Sequence, residues 1–447
     1  MGKYFGTDGM RGRAISQLPP DLVFRLGMAA AHILTKDSGE LRPLVLIGKD
    51  TRISGDYLEA ALSAGMASSG CDVLLLGVIP TPGVAALTRL LGAEASAVIS
   101  ASHNPYYDNG IKFFNRDGHK LPDRIEEEIE RLIDNPGELS LAEDDQLGRI
   151  SVYERAAEKY ATWLLEAQAP DLSGFRIVVD TANGAASFIM EPILQSLGAE
   201  LFCIGNQPDG CNINDNCGST YMAPLCEQVR EKKANLGLAF DGDADRMLAV
   251  DENGALVDGD QLLAIFARDM LDKGELPVKE IVATQMSNLG LKLALEPLGI
   301  TVAETKVGDR YVLERMLKGG AVVGGEQSGH LILRDYNTTG DGAVAALKLL
   351  TIMSESGKSL SELARVMRKM PQHMICPEVR DKEGWQQDAE ICALIESSRQ
   401  SLDGRGRIII RASGTEPRIR IMAEGEDQRL ICAIVEELAE LIGRKMG

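Results

Sequence analysis

Short apolar segments alternate with longer stretches of helical periodicity through the first three quarters of the chain. Three successive parts of this region show the same order of predicted elements, in which a strand is followed by a helix and then by two more strands. Continuous apolar strands that alternate with helices are typical of βαβ units and of largely parallel sheets. The predicted strands are 44–48, 73–76 and 97–99, then 176–180, 200–204 and 236–240, then 280–284, 301–304 and 321–324, and the predicted helices are 57–69, 187–197 and 289–298.

The last quarter of the chain has a different order of elements. A strand, a helix, a hairpin and a final helix are predicted there, which indicates a small α+β domain, and an amphipathic stretch before the second copy predicts a connecting helix. We therefore expect three related α/β domains with mixed or parallel sheets, plus a smaller C-terminal α+β domain, around a central cleft. The predicted segments are 1–150, 151–256, 257–369 and 370–447, the connecting helix is 152–167, and the C-terminal elements are 373–379, 388–400, 407–411, 418–424 and 428–443.

The composition narrows the classes of partner. The net charge of −19 argues against nucleic acid, because contact with a phosphate backbone needs a basic face. No apolar run approaches the roughly 20 residues that span a bilayer, and the N-terminus has no secretory signal, so we expect a cytoplasmic protein without a membrane partner. The eight cysteines form no Cys-x-x-Cys pair, which predicts reduced thiols and no zinc site. Because the net charge is negative, an anionic substrate must be held by local arginines, backbone N–H groups or a metal ion.

A polar loop follows the third strand of each copy, and ligands of α/β sheets gather at the carboxyl ends of strands. In the first loop, Ser102 follows an apolar strand and Pro105 stiffens the segment after it. A nucleophilic serine needs such a fixed position. A plain turn rich in serine, asparagine and proline has the same pattern, so the catalytic interpretation stays one of two.

The second loop places three carboxylates at alternate positions, Asp241, Asp243 and Asp245. Carboxylates this close repel one another unless a cation neutralises them, and Mg²⁺ prefers oxygen ligands of this kind. An EF-hand is excluded, because Arg246 stands where that loop needs glycine and strands flank the loop on both sides. A solvated acidic hairpin remains the alternative.

Three further segments contain candidate binding groups. The third loop, 324–330, combines a carboxylate, an amide, a hydroxyl and an imidazole, which suit the hydroxyls and amine of a sugar. An ordinary glycine-rich turn has the same pattern and stays open as the alternative. Segment 411–420 sets two hydroxyls and a glycine between arginines, which predicts a cradle for a phosphate dianion, although a hairpin with a charged rim is equally consistent. Near the N-terminus, glycine recurs at every third position of segment 6–12, where Arg11 and backbone N–H groups could approach a phosphate.

Taken together, these loops resemble the α-D-phosphohexomutase superfamily over essentially the whole chain. SASHNPYYDNGIKFF resembles its phosphoserine loop, DGDADR its metal loop, GEQSGH its sugar loop and RASGTEPRIR its phosphate loop. The resemblance implies three related α/β domains and a smaller C-terminal domain around a central cleft. The opening FGTDGMRG, Gln327 and the segment VGDRYV resemble the branch of the superfamily that acts on amino-sugar phosphates.

The resemblance implies an intramolecular phosphotransferase that interconverts glucosamine 6-phosphate and glucosamine 1-phosphate on the route to UDP-N-acetylglucosamine. Phosphorylated Ser102 would exchange its phosphoryl group with the sugar through glucosamine 1,6-bisphosphate, with one Mg²⁺ per chain bound by Ser102, Asp241, Asp243 and Asp245. The other implied roles are phosphoryl stabilisation by Arg11, His103, Lys112 and Arg246, proton transfer by His330, sugar binding by Glu326, Gln327 and Ser328, and phosphate binding by Arg411, Ser413, Gly414, Thr415 and Arg420.

Several alternatives stay open at the level of the sequence. A mutase for glucose or mannose phosphates would use the same residues, a serine-type phosphatase would use Ser102 and Mg²⁺, and a phosphosugar-binding protein would need no catalysis. The predicted partner is a phosphosugar substrate, with a homodimer as one option for the assembly.

Overall fold

The computed structural model describes residues 2–6, 8–139, 141–382, 384–412 and 417–447 of the 447-residue chain. The chain divides into two compact units, Met1–Gln285 with Ala303–Arg365, and Met286–Val302 with Val366–Gly447. The described residues form four sheets. None of the helices in these residues combines the length and the apolar composition that a bilayer crossing requires.

The first sheet has six strands, and strand Ala95–Ile99 in it is buried along its whole length. The strands are β1 (Met10–Arg13), β2 (Leu44–Lys49), β3 (Asp72–Val78), β4 (Ala95–Ile99), β5 (Asp108–Asn115) and β6 (Ile150–Val152), and the helices are α1 (Pro20–Thr35), α2 (Gly55–Ser68), α3 (Thr81–Leu90) and α4 (Asp123–Asp134). Their order in the sheet is β1-β5-β4-β2-β3-β6. β2 runs parallel to β3 and β4, whereas β5 runs antiparallel to β4.

The second sheet has five strands in the order β11-β10-β9-β7-β8. Its elements are α5 (Ala156–Ala167), β7 (Arg176–Asp180), α6 (Met190–Ser196), β8 (Glu200–Ile204), α7 (Ala223–Lys232), β9 (Leu236–Phe240), β10 (Met247–Asp251) and β11 (Leu256–Val257). β9 and β10 form an antiparallel hairpin in which every residue is buried. Such continuous apolar strands are typical of a sheet covered by helices.

The third sheet has four strands in the order β13-β12-β14-β15. The elements of this part of the chain are α8 (Gly259–Lys273), β12 (Glu280–Thr284), α9 (Leu289–Leu295), β13 (Thr301–Thr305), α10 (Asp309–Gly319), β14 (Val323–Gly325), β15 (Leu331–Leu333), α11 (Gly342–Ser356) and α12 (Leu360–Ala364). Helix α9 belongs to the second compact unit.

The three sheets share one strand order, which confirms the predicted fold class. From the strand after the polar loop, the orders are β5-β4-β2-β3, β10-β9-β7-β8 and β15-β14-β12-β13. The predicted pattern was wrong in one respect, because it placed the second and third strands of each copy in direct succession. The structure places α3, α7 and α10 between them, since parallel strands need a crossover connection.

The remaining sheet lies in the second unit and is antiparallel, with the order β16-β18-β17. Its elements are β16 (Gln372–Ile375), α13 (Ala389–Ser401), β17 (Gly406–Ala412), β18 (Ile419–Gly425) and α14 (Gln428–Met446). Isoleucines and leucines of α13, α14 and the two hairpin strands form its core. The connecting helix α5 begins at Ala156, four residues later than predicted, because β6 occupies 150–152. The boundaries at 150, 256 and 369 stay predictions.

Candidate active site

Ser102 lies in the loop between β4 and β5, where its backbone has a left-handed φ of 50°. This conformation is costly for a residue with a Cβ and persists only where neighbours hold it. The Ser102 carbonyl accepts hydrogen bonds from Arg52 Nη2 at 3.1 Å and Asn214 Nδ2 at 2.9 Å, and its N–H donates to Ser100 Oγ at 2.9 Å. Arg52 is itself held by a buried ion pair with Asp50. The Ser102 hydroxyl therefore has a fixed direction.

That hydroxyl points into the second polar loop. Ser102 Oγ donates a hydrogen bond of 2.7 Å to Asp241 Oδ2. One carboxylate oxygen from each of Asp241, Asp243 and Asp245 lies within 4.8 Å of the other two, and all three residues are buried. Gly242 permits this approach, because a Cβ there would stand 2.6 Å from the Ser102 carbonyl oxygen. The structure thus brings together two segments that are about 140 residues apart.

The aspartate trio fits a divalent cation. Burial, and then the neighbouring Asp245 and Asp243, raise the pKa of Asp241 well above its usual value. Among the described residues, Asp243 Oδ1 and Asp245 Oδ1 are buried without a hydrogen-bond partner. Buried polar atoms normally have a partner, so these two carboxylate oxygens are suited to coordinate a cation. A hard cation would supply one and would neutralise the repulsion among the three carboxylates.

Lys112 lies next to this trio, and its role towards a phosphoryl group stays a prediction. The Lys112 side chain is 2% exposed, and its Nζ lies 3.2 Å from Asp243 Oδ2 and 3.0 Å from Asp8 Oδ2. Burial lowers the pKa of Lys112, but the two carboxylates outweigh burial and raise it. Arg11 Nη2 donates to the same Asp8 carboxylate at 2.5 Å. A phosphoryl group on Ser102 would therefore have a fixed ammonium group nearby.

His103 and Arg246 also lie beside the serine and the trio. His103 Nδ1 is 3.2 Å from Ser102 Oγ, and the Arg246 N–H donates to Asp241 Oδ1 at 3.2 Å. Burial, and then the Arg246 and Arg11 charges, lower the pKa of His103 to about 4. His103 is therefore neutral at physiological pH and can accept or donate a single hydrogen bond at Nδ1.

The third polar loop reaches the trio through His330. His330 Nδ1 lies 3.5 Å from Asp245 Oδ2, and the Gly340 N–H donates to His330 Nε2 at 3.2 Å. Burial lowers the pKa of His330, but Asp245 outweighs burial and raises it. His330 is only 2% exposed, so its ring is a buried neighbour of the Asp245 carboxylate. Its part in proton transfer stays a prediction.

The other residues of this loop bond mainly to one another and to neighbouring segments. Glu326 accepts from the Gly308 N–H at 3.0 Å and from Ser328 Oγ at 3.3 Å. Gln327 Nε2 donates to Asp258 Oδ2 at 3.3 Å, beside the first turn of α8. These three side chains are half-buried, so a sugar hydroxyl would exchange with existing hydrogen bonds. Their roles in sugar binding stay predictions.

The predicted phosphate cradle lies in the second unit and is described in part. Arg411 on β17 stands directly opposite Arg420 on β18. Like charges in this position destabilise a sheet unless an anion joins them. Burial, and then Arg420, lower the pKa of Arg411, whose Nε is buried without a hydrogen-bond partner in the described part of the chain. Ser413, Gly414 and Thr415 lie outside the described residues.

Comparison with protein families gives a match along nearly the whole chain. The phosphoglucomutase/phosphomannomutase alpha/beta/alpha domains I, II and III match residues 2–139, 156–254 and 258–370, and the C-terminal domain of that family matches 374–441. The chain belongs to the phosphoglucomutase/phosphomannomutase family. This confirms the superfamily that the four loops predicted, and with it the enzyme class, an intramolecular phosphotransferase.

Relatives within the phosphoglucomutase/phosphomannomutase family are similar over their full length. The chain is 51% identical over 444 residues to the phosphoglucosamine mutase of Desulforamulus reducens, covering 99% of this chain and 100% of the relative. It is 52% identical over 443 residues to that of Carboxydothermus hydrogenoformans, covering 99% of each. Among solved structures, a family protein from Burkholderia thailandensis superposes with a TM-score of 0.82 at 22% identity over 99% of this chain and 97% of the other.

A second solved structure shows the same fold at greater distance. The N-acetylphosphoglucosamine mutase of Aspergillus fumigatus, in complex with GlcNAc-6P and magnesium, has a TM-score of 0.68 at 16% identity, over 99% of this chain and 96% of that protein. The shared fold of the family therefore extends to the whole of this chain.

The structure adds residues to the site that the sequence interpretation did not assign. Asp8, Lys120 and Asp309 lie in one ionic cluster beside Lys112, and Arg52 and Asn214 hold the serine loop. Asp8 lies in FGTDGMRG and Asp309 in VGDRYV, two segments that resemble the amino-sugar branch of the superfamily. That resemblance is the sequence signal that could have pointed to these two residues.

Glu126 on α4 provides a test of the electrostatics beside this cluster. Burial, and then Asp123 and Asp8, outweigh Arg310 and raise the pKa of Glu126 to about 7. A raised pKa means that the stability contributed by Glu126 is complete below about pH 4.5 and is lost as the pH rises towards about 7. We expect Glu126→Gln to melt at a higher temperature than the wild type at pH 8, and this difference should nearly vanish at pH 4.

The control for this measurement is Glu127→Gln, which changes an exposed glutamate on the same helix. Its melting temperature should follow the wild type at both pH values. Equal pH dependence of Glu126→Gln and the wild type would show that Glu126 titrates near its ordinary pKa.

Proposed function

We propose that this chain interconverts glucosamine 6-phosphate and glucosamine 1-phosphate, with Ser102 as the phosphoryl carrier. The proposal includes glucosamine 1,6-bisphosphate as the intermediate and UDP-N-acetylglucosamine synthesis as the pathway that consumes the product. The observation that carries it is the 2.7 Å hydrogen bond from Ser102 Oγ to Asp241 within the buried aspartate trio. Relatives that are about half identical over the full chain and are named phosphoglucosamine mutase support the choice of substrate.

The reaction consists of two phosphoryl transfers. In the first, the bond between phosphorus and Ser102 Oγ breaks and a bond forms to the free hydroxyl oxygen of the sugar monophosphate. The sugar hydroxyl loses its proton, and Ser102 Oγ gains one and becomes a hydroxyl again. In the second, the bisphosphate has turned round and the bond between its other phosphorus and the sugar oxygen breaks as a bond forms to Ser102 Oγ. The Ser102 hydroxyl loses its proton, and the released sugar oxygen gains one. Phosphoryl transfer needs mainly alignment and charge stabilisation, which the fixed serine loop and the buried cations would provide.

A Mg²⁺ ion held by Asp241, Asp243, Asp245 and a phosphoserine oxygen would neutralise charge on the transferring group. The protein itself adds Lys112, whose ammonium group is fixed between Asp243 and Asp8. Neutral His103 stands 3.2 Å from the serine oxygen, where it could exchange a proton with Ser102 Oγ as the phosphoryl group leaves and returns. A cation fixed in place, such as the Lys112 ammonium group, stabilises the charge of the transition state without first having to move.

Arg420 should contribute to substrate binding and not to the transfer itself. We expect Arg420→Met to raise the KM for either sugar phosphate about 10- to 100-fold, the worth of one hydrogen bond to a charged group, while phosphorylation of Ser102 is unchanged. Arg418→Met is the matched control, because Arg418 bonds to Glu378 at 2.7 Å and should leave the KM unaltered. An unchanged KM in Arg420→Met would remove this arginine from the cradle.

The substrate is tested by comparing glucosamine 1-phosphate, glucose 1-phosphate and mannose 1-phosphate on one preparation, with Mg²⁺ and a catalytic amount of sugar bisphosphate. We expect kcat/KM to be at least about tenfold higher for the amino sugar, the size of a discrimination based on one polar group. A preference for glucose or mannose phosphate would assign a different mutase. Release of inorganic phosphate in proportion to substrate loss would indicate a phosphatase.

A further inference from the structure

The carboxylate of Asp8 is shared by three cationic side chains. Lys112 Nζ lies 3.0 Å from Asp8 Oδ2, Lys120 Nζ lies 2.5 Å from Asp8 Oδ1, and Arg11 Nη2 lies 2.5 Å from Asp8 Oδ2. Burial would raise the pKa of Asp8, but these three cations outweigh it and hold the pKa well below its usual range. Asp8 is therefore an anion under all physiological conditions.

The lysines on Asp8 extend the cluster to both ends of the aspartate trio. Lys112 reaches Asp243 at 3.2 Å. Lys120 forms an ion pair with Asp309, whose Oδ2 lies 3.6 Å from His330 Nε2, and His330 Nδ1 in turn lies 3.5 Å from Asp245. The described residues thus contain one continuous chain of polar contacts that begins at Asp243, passes through Asp8, and ends at Asp245.

Two of the three cations on Asp8, Lys112 and Arg11, are those that the resemblance assigns to a phosphoryl group on Ser102, and Lys112 contacts Asp243 of the trio. Without an anion between them, Lys112, Lys120 and Arg11 would repel one another and separate. The Asp8 carboxylate would not bind an anionic substrate directly, because a carboxylate repels phosphate. Its contacts are instead with the three cations, whose mutual repulsion it offsets.

We propose that Asp8 is a positioning residue, whose carboxylate fixes Lys112 and Arg11 in the orientation that phosphoryl transfer on Ser102 requires. This inference rests on the proposed function for the reaction that the cations serve. Asp8 itself does not touch the reacting atoms.

Asp8→Asn separates positioning from simple charge. The substitution keeps the shape of the side chain and makes the site more positive by one charge, so binding of an anionic sugar phosphate should not weaken. We expect kcat to fall about 100-fold, the cost of a misplacement of about 1 Å, while KM stays constant or falls. Asp8→Glu, which restores the charge, should recover part of the loss in kcat.

The matched control is Asp269→Asn. Asp269 on α8 is another carboxylate with two lysine neighbours, Lys273 at 3.0 Å and Lys348 at 2.9 Å, and it belongs to no part of the proposed site. Its removal should cost a similar amount of thermal stability and leave both kcat and KM unchanged.

A second measurement is independent of the reaction. In the folded protein, acetylation by a lysine-reactive ester followed by mass spectrometry should leave Lys112 and Lys120 protected, because their side chains are 2% and 17% exposed. In Asp8→Asn both should react at least about fivefold faster, since each loses a buried ionic partner and opens more often. Asp8→Glu should keep them protected, and it serves as the folded comparison if Asp8→Asn does not fold.

The outcomes separate this inference from the proposed function. A kcat for Asp8→Asn within about threefold of the wild type, or unchanged labelling of both lysines, would overturn the positioning role while the reaction assignment stands. An equal kcat loss in Asp269→Asn would reduce the effect to stability and would also overturn it. A wild-type protein that isomerises no hexosamine phosphate would refute the proposed function, and the labelling would still decide whether Asp8 holds the two lysines.

Discussion

Replacing Ser102 by alanine is expected to lower mutase turnover by at least about 1,000-fold, as loss of a catalytic nucleophile does in other enzymes. The reason is that the phosphoryl group needs an acceptor oxygen next to the aspartate trio, and Ser102 Oγ lies 2.7 Å from Asp241. The variant should fold, because the backbone contacts of Ser102 with Arg52 and Asn214 do not use the hydroxyl.

Two readouts test this expectation together. A coupled assay measures isomerisation of glucosamine phosphate, and intact mass should show about 80 Da of phosphatase-sensitive phosphoryl group on the wild type and none on Ser102→Ala. Ser96→Ala is the matched control, since Ser96 is a buried serine on β4 whose hydroxyl bonds to Thr88 at 2.6 Å. Full turnover by Ser102→Ala would end the phosphoserine assignment.

Asp241→Asn is expected to have opposite effects on activity and on the stability of the metal-free protein. Asparagine keeps the shape of the side chain and an oxygen for the Arg246 backbone N–H, but it removes a carboxyl group whose ionisation is opposed by burial and by its two aspartate neighbours. In a chelating buffer we expect the melting temperature to rise about 1–2 °C, because about 1 kcal/mol shifts a domain of roughly 150–250 residues by about 2–4 °C and a larger unit by less. Turnover with Mg²⁺ should fall at least about 100-fold.

The response to Mg²⁺ distinguishes a lost ligand from general damage. Saturating Mg²⁺ stabilises a protein that binds it in the folded state only, by about 2.7 kcal/mol at 100 times the dissociation constant. The wild type should therefore melt higher with Mg²⁺, and Asp241→Asn should not. Asp251→Asn, on the same hairpin but outside the trio, should keep both the Mg²⁺ response and the turnover. A variant at 241 that retains the Mg²⁺ response would contradict the site.

The strands were predictable because burial on both faces leaves a simple signal. β7, β9 and β12, which are almost wholly buried, begin and end at the predicted residues. So does β8, an exposed or half-buried strand at the edge of its sheet, because its sequence is also mainly apolar. The helices α3, α7 and α10 were missed, although the parallel strands that they join require them. α3 begins in a segment with prolines at positions 80 and 82, which a helix tolerates only in its first turn.

Some residues of the site could be predicted from their own segments, whereas others could be recognised only from contacts between distant segments. The serine and the aspartates were found because each stands in a short loop with unusual chemistry of its own. Asp8, Lys120 and Asp309 are ordinary charged residues in their own segments, and they gain significance only because the fold places them around one another. No spacing along the chain indicates a contact between residues 120 and 309, which are 189 positions apart.

The sequence also carried expectations that stay predictions. These are the absence of nucleic-acid and membrane partners, a homodimer as one option for assembly, and a cytoplasmic location. The acidic net charge of −19 is compatible with an anionic substrate, because the side chains of Lys112 and Arg11 place positive charge beside Asp8 and the aspartate trio.

The most direct test of the shared site is anomalous diffraction from a crystal of the phosphorylated protein that contains Mn²⁺ in place of Mg²⁺. We expect one strong peak about 2.1 Å from oxygens of Asp241, Asp243 and Asp245 and from one oxygen of phosphorylated Ser102. A peak elsewhere in the molecule, or a metal at the aspartates without contact to residue 102, would contradict the central claim that the serine and the three carboxylates work around one ion.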